Sequence, residues 1–205
     1  MAAKKTLERR KSMRKKWMLG LAAAALAATT ATAEMKAAEA YKYMTEVLKG
    51  EWKMSPADKQ IGTTGAHLHP AVKRLLGTDR TGVAYKVIGR GATLQEDLLP
   101  NTMKQMVTMY YCDDFHDCTE LQATHYCAKQ NHPAFVFNEK ESTPQKLVFD
   151  CDMERSEVCD SDESHIHQII LELSNNNNHL KSSYLAWKDG EPATKHSIYH
   201  FDRKK

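Results

Sequence analysis

The 205-residue sequence predicts an all-β chain, an up-and-down antiparallel barrel of about 8–10 strands behind a short N-terminal helix. Three observations predict it. From Thr81 onward, short segments of alternating polar and apolar residues follow one another at close spacing. Polar turns divide them: Gly89-Arg90-Gly91, Pro100-Asn101, Asp113-Asp114, Asn131 to Pro133, Asn175–Asn178 and Asp189-Gly190. No long helical stretch intervenes, so the crossovers that a parallel sheet requires are missing. A meander of that many strands removes its edges most economically by closing on itself.

The chain opens on a different pattern. Its first sixteen residues hold eight Lys or Arg against Glu8 alone, and an apolar run, Trp17–Ala28, leads into TTATA ending at Ala33. Basic, apolar, then small-x-small is the order of a secretory signal peptide over residues 1–33, with cleavage before Glu34. The alternative is a membrane anchor, but a run of about twelve residues falls short of the ~20 that span a bilayer. No stable membrane span is therefore expected after cleavage, and the product is placed in the periplasm or outside the cell. Met13 offers a second start that leaves a complete signal, and Arg9-Arg10 leaves both general and twin-arginine export open.

Removing the leader also removes the basic balance. The full chain has 29 Lys and Arg against 26 Asp and Glu, the leader holds 8 and 1, and 21 against 25 remain. The mature domain, 34–205, is thus mildly acidic and carries no nucleic-acid footprint.

Within that domain, Glu34–Lys49 is rich in Ala, Glu and Lys and predicts a helix that Gly50 ends. Gly50-Glu51-Trp52 predicts a short strand. The stretch 55–80 is poor in strand signals, although His69-Pro70 followed by AVKRLL predicts a helical turn or two. Strands are predicted at 82–89, 92–99, 104–112, 118–128, 134–138, 146–151, 165–173, 179–188 and 194–203. Asn175–Asn178 is a turn.

Export makes the five cysteines readable as a disulfide set. Cys112 and Cys118 bracket the turn DDFHD, and Cys151 and Cys159 bracket the polar loop DMERSEV. Each bridge closes a short loop, contributing roughly 2–3 kcal/mol in the chain-entropy view. Cys127 is left free. The tight C-x-x-C spacing of a structural zinc site is absent.

Alternate residues of a strand share a face. On 121–128, Leu121, Ala123, His125 and Cys127 fall together. On 165–173, His165 and His167 fall with Ile169, Leu171 and Leu173, and on 92–99 Glu96 sits between Leu94 and Leu98. A carboxylate, three imidazoles and a thiol thus lie on apolar faces, which is costly unless they bond to one another or hold something. Three readings stay open: a satisfied internal polar network, a small-molecule pocket, or a metal or haem site built from His125, Cys127, His165 and His167. In the last strand His196 and His200 alternate with Tyr199 and Phe201 and are expected to face solvent. No hydrolase triad context, P-loop or dinucleotide glycine pattern occurs, so a binding protein is expected over an enzyme.

The sequence resembles the lipocalin-like (calycin) barrels. Gly50-Glu51-Trp52 resembles the G-x-W opening their first strand, and Arg203 stands where they place an arginine over that tryptophan, so Trp52 and Arg203 are expected to close one end. Over roughly 83–203 the chain is similar to a group of bacterial lipocalin-like domains of unassigned function. The stretches that carry it are GRGATLQEDLLPN, MVTMYY, THYCAKQNHPAF, HIH at 165–167, Leu180 to Trp187 with Lys188-Asp189-Gly190, and Phe201-Asp202-Arg203. The resemblance implies a barrel with one internal cavity and puts Glu96, His125, Cys127, His165 and His167 in the motifs of the group. A more distant similarity is to nitrobindin-like haem proteins, whose iron ligand is a late histidine; His196 and His200 are the late candidates here. The reading that follows is a small, partly apolar ligand held by Glu96, His125, Cys127, His165, His167 and Trp52, with no cofactor. A haem or transition-metal barrel is the alternative.

Overall fold

A computed structural model describes residues 34–60, 69–114 and 116–205; the expected signal peptide lies outside the described residues. Helix α1 (Ala37–Val47) precedes β1 (Gly50–Met54), and a second short helix, α2 (Pro70–Lys73), precedes β2 (Thr81–Ile88). Then follow β3 (Thr93–Leu98), β4 (Met106–Cys112), β5 (Leu121–Tyr126), β6 (Ala134–Phe137), β7 (Lys146–Cys151), β8 (His165–Ser174) and β9 (His179–Lys188). The chain ends with a two-residue β10 (Glu191–Pro192) and β11 (Ser197–Arg203).

Consecutive strands from β1 to β9 pair antiparallel, and β11 pairs with both β9 and β1. Ten strands therefore close into an up-and-down barrel, with β10 as a short addition on β9. That is the expected all-β fold, and the closed barrel is compatible with a lipocalin-like architecture. Among the described residues no helix is long and apolar enough to cross a membrane.

The connections follow from their residues. Asn175, Asn176 and Asn177 all adopt left-handed backbone angles, φ 52°, 51° and 59°, which asparagine tolerates better than most side chains. Asp189-Gly190, φ 56° and 73°, is the Asp-Gly pair that suits a tight hairpin. Gly82 is required by a close approach: a Cβ there would meet the Phe201 ring at 2.9 Å and the Met54 amide at 3.1 Å. Both disulfides form as the spacing predicted, Cys112–Cys118 and Cys151–Cys159, and Cys127 stays free.

One end of the barrel is shut. Ala37, Ala40, Met44 and Leu48 form the buried stripe of α1, at the three-to-four residue spacing of a helix face. The fully buried Trp52 donates its indole N–H to the Leu48 carbonyl at 2.9 Å. Above it lies the Arg203 guanidinium, 4.0 Å from the ring centre, a cation–π contact. The same guanidinium donates to the carbonyls of Val47, Lys49 and Asn177, so it also caps the carboxyl end of α1. Trp52 and Arg203 thus close the end occupied by α1, the β8–β9 turn and the chain terminus.

The opposite end gathers the start of β4, the ends of β5 and β9, the start of β8 and the residues preceding β11. Of the predicted strands that are shorter there than expected, two bear on the site. The strand expected over 118–128 stops at Tyr126, because Cys127 enters a turn closed by Gln130 N–H to the Cys127 carbonyl and Cys127 N–H to the Asn131 carbonyl. The last strand begins at Ser197, not at residue 194, which leaves His196 in the preceding loop.

Candidate functional site

Antiparallel register places four residues in one row across adjacent strands: Tyr85 on β2 faces Glu96 on β3, Glu96 faces Thr108 on β4, and Thr108 faces His125 on β5. Each sits on the inner face of its strand and is buried. The row is a continuous hydrogen-bond chain. Glu96 Oε2 accepts from the Tyr85 and Tyr110 hydroxyls, both at 2.9 Å. Its Oε1 accepts from the Tyr184 hydroxyl at 2.6 Å, reaching in from β9, and from Thr108 Oγ1 at 3.1 Å. Thr108 Oγ1 in turn lies 2.9 Å from His125 Nδ1.

A proton inventory assigns the state of this chain. A carboxylate has four lone-pair positions, and four hydroxyls fill them here. Four donors and no acceptor around it suit an ionised Glu96, and among the described residues it forms no ion pair. Burial raises its pKa, and the four hydroxyl hydrogen bonds, Tyr184 first, pull it back. Burial and the Glu96 charge hold the hydroxyls of Tyr85, Tyr110 and Tyr184 well above the ordinary phenol range. Because the Thr108 proton goes to Glu96, Thr108 must accept from His125, which fixes the proton on Nδ1 and leaves a lone pair on Nε2. Burial lowers the His125 pKa to about 4, so the ring is neutral at physiological pH. Its Nε2 is buried and has no hydrogen-bond partner among the described residues.

His125 is one wall residue of a cavity of about 310 Å³ at the open end of the barrel. Met106, Ile166, Ala186 and Tyr199 give it an apolar middle, while Cys127 and Ser197 add a thiol and a hydroxyl. Lys104, Lys129, Lys195, His69 and His196 also line it, and among the described residues no Asp or Glu does. Neither Lys104 nor Lys195 forms an ion pair among the described residues, whereas Lys129 Nζ donates to Ser164 Oγ at 2.5 Å.

The expected site residues are therefore dispersed over three places. His125 and Cys127 line the cavity. Glu96 stands one layer behind it, with its acceptor positions taken by protein donors. Trp52 lies at the closed end under Arg203 and is not a cavity residue. His165 and His167 do not line the cavity either. A bulge between Ile166 and Gln168 breaks the two-residue alternation, so Ile166 joins Ala186 at the cavity wall and His165 pairs opposite Trp187. His167, the bulged residue, stacks on the Trp187 ring at 3.8 Å between centres. The shared inner face expected for His165, His167 and Ile169 is thus not formed.

The two histidines instead meet Cys151. His165 Nε2 lies 3.0 Å from His167 Nδ1, and the other ring nitrogen of His165 lies 2.7 Å from the Glu163 carbonyl. One ligand atom from each of Cys151, His165 and His167 falls within 4.8 Å of the others. Among the described residues this is the one group of three or more His, Cys, Asp or Glu close enough to share an ion, so His125 and Cys127 are not joined with His165 and His167.

His196 departs from expectation as well. Sitting before the strand begins, it turns to the cavity and accepts the Ala186 N–H on Nδ1 at 3.1 Å. His200, within β11, does lie on the outer row, where its Nδ1 is 3.1 Å from His179 Nε2. Sequence reasoning missed the hydroxyl shell of Glu96. Two-residue alternation does put Thr108 and Tyr110 on one face of β4, but only the strand register shows that this face meets Glu96.

No family model matches the chain, and no curated protein matches it.

Proposed function

We propose that the chain is an exported, lipocalin-like barrel that binds a small, partly apolar organic molecule in the cavity at its open end. The observation that carries this reading is His125: a neutral, fully buried imidazole at the cavity wall whose Nε2 lone pair no group among the described residues satisfies. Leaving such an atom unpaired costs about 1–3 kcal/mol, a cost a bound donor relieves. The cavity volume stands at the lower end of ordinary ligand sites.

The lining also indicates the kind of molecule. A hydroxyl or N–H group suits the lone pair of His125, and a hydrocarbon or aromatic body suits Met106, Ile166 and Ala186. A carboxylate or other anion suits a rim of Lys104, Lys129 and Lys195 that has no acidic counterpart in the lining. The function is then binding, with Cys127 as part of the wall and no cofactor required. Two disulfides and the leader pattern support a periplasmic or secreted location, for which the mature protein is expected to begin at Glu34 by intact mass.

The test is calorimetric titration of the mature protein with 3-(4-hydroxyphenyl)propanoate, its methyl ester and the analogue lacking the ring hydroxyl. The acid is expected to bind at least tenfold tighter than either relative, and binding is expected to vanish in Ala186→Trp, which fills the cavity. His125→Phe should abolish the preference for the hydroxyl while sparing that for the carboxylate. Failure of all three compounds to bind, or binding that survives Ala186→Trp, would overturn the reading.

A further inference from the structure

The pair His165–His167 lies outside the cavity and takes no part in the binding just described. We propose that Cys151, Cys159, His165 and His167 form a redox-gated site for a tetrahedral divalent metal of the zinc class, closed while the disulfide stands and opened by its reduction. This site is independent of the cavity.

The argument begins with the bulge in β8. By inserting His167 between Ile166 and Gln168 it lets two consecutive imidazoles of the HIH segment approach each other, which regular strand alternation would carry along one face at a wider separation. Their facing nitrogens are 3.0 Å apart, near the separation of roughly 3.3 Å that two nitrogens adopt when each is about 2.0–2.1 Å from one zinc ion. His165 is oriented for the role by its outer nitrogen. That atom is 2.7 Å from the Glu163 carbonyl, which can only accept, so the proton sits on Nδ1 and the lone pair on Nε2, toward His167. Backbone-carbonyl anchoring of this kind is the usual outer support of a metal-ligating histidine. With His165 Nε2 as the acceptor, His167 Nδ1 carries the proton they share, and that proton moves to His167 Nε2 when a metal takes the place of the hydrogen bond.

The sulfur completes the set. Cys151 at the end of β7 lies within 4.8 Å of the ligand atoms of both histidines, and Cys159 is bonded to it. In the oxidised protein neither sulfur is a thiolate, so the metal has only two good ligands. Reduction by a dithiol transfers two electrons and two protons to the Cys151–Cys159 bond and leaves the dithiol as its own disulfide. The two thiols then bind M²⁺ and release two protons, giving two thiolates and two imidazoles, the donor set that zinc favours in closed tetrahedral sites. The metal would replace the lost covalent tie between the end of β7 and the loop before β8.

The test uses mature protein carrying Cys127→Ser, Cys112→Ser and Cys118→Ser, so that reduction frees only Cys151 and Cys159, and cobalt(II) as the probe, since its tetrahedral thiolate complexes absorb in the near-ultraviolet and visible. After reduction with a phosphine, one equivalent of cobalt is expected to give a thiolate-to-metal band and tetrahedral ligand-field bands. One equivalent of zinc should then displace it. The oxidised protein is expected to give neither band. Cys159→Ser, which frees Cys151 without any reductant, should bind one equivalent of cobalt more weakly than the reduced protein. His167→Ala, at a half-buried position, should lower affinity at least tenfold with both thiols present. Zinc should also raise the melting temperature of the reduced protein and leave that of the oxidised protein unchanged. Absence of the bands on reduction, equal cobalt binding in the oxidised and reduced forms, or affinity indifferent to His167→Ala would overturn the proposal.

Discussion

Glu96→Ala is expected to destabilise the barrel by about 4–12 kcal/mol, since it strands four buried hydroxyls at once and each unsatisfied group costs about 1–3 kcal/mol. A domain of this size holds only about 5–15 kcal/mol in total, so the variant should be largely unfolded at moderate temperature. The cause is that Tyr85, Tyr110, Tyr184 and Thr108 all spend their protons on this one carboxylate. Glu96→Gln keeps the shape and one acceptor oxygen but turns a donor toward two hydroxyls; about 2 kcal/mol is expected. The informative companion is Glu96→Leu combined with Tyr85→Phe, Tyr110→Phe and Tyr184→Phe. Removing donors and acceptor together avoids most of the stranded groups, so the quadruple variant should be more stable than Glu96→Ala although it carries four substitutions. Urea unfolding followed by tryptophan fluorescence measures all three. A loss under about 1 kcal/mol in Glu96→Ala would show that the network is not what holds these strands in register.

Acidification should weaken the fold through His125. Its folded pKa is about 4, against 6.5 for the free side chain, so between those values the unfolded chain binds a proton that the folded chain refuses. The stabilisation is complete above pH 6.5 and is lost as pH falls to about 4. A shift of this size corresponds to roughly 3 kcal/mol. Glu96 acts with the opposite sign, because burial raises its pKa and favours the protonated folded form at low pH. The His125 contribution is therefore read as a difference: wild type should lose about 3 kcal/mol more than His125→Phe between pH 7.5 and pH 4. Identical pH profiles for the two proteins would contradict the assignment of a buried neutral ring. Ligand affinity of the folded protein should hold over that interval and fall only near and below pH 4, where Nε2 takes up a proton and no longer accepts a hydrogen bond.

These residues show where reading the chain in one dimension succeeds. Alternation along β3 and β5 put Glu96 and His125 inward, and both are fully buried. Cysteine spacing gave both disulfides, because a bridge over a short polar loop is decided locally. The same alternation misplaced His165 and His167, because a bulge depends on how β8 registers against β9 and leaves no mark in β8 alone. His196 was misplaced for a related reason. Its strand starts at Ser197, three residues later than expected, and a side chain outside the ladder can turn toward the cavity.

The sequence by itself determined the strand count, the up-and-down order and the polar character of the interior. Each of these follows from short-range rules: side-chain period, turn chemistry and the cost of burying charge. What only the tertiary structure decided is which polar groups satisfy one another. The row Tyr85–Glu96–Thr108–His125 exists because register across four strands aligns residues up to 40 positions apart in the chain. Register also separates His125 with Cys127, at the cavity, from His165 with His167, at the disulfide. Hydrogen bonds act over about 3 Å, so their partners are set by the closed barrel and not by proximity along the chain.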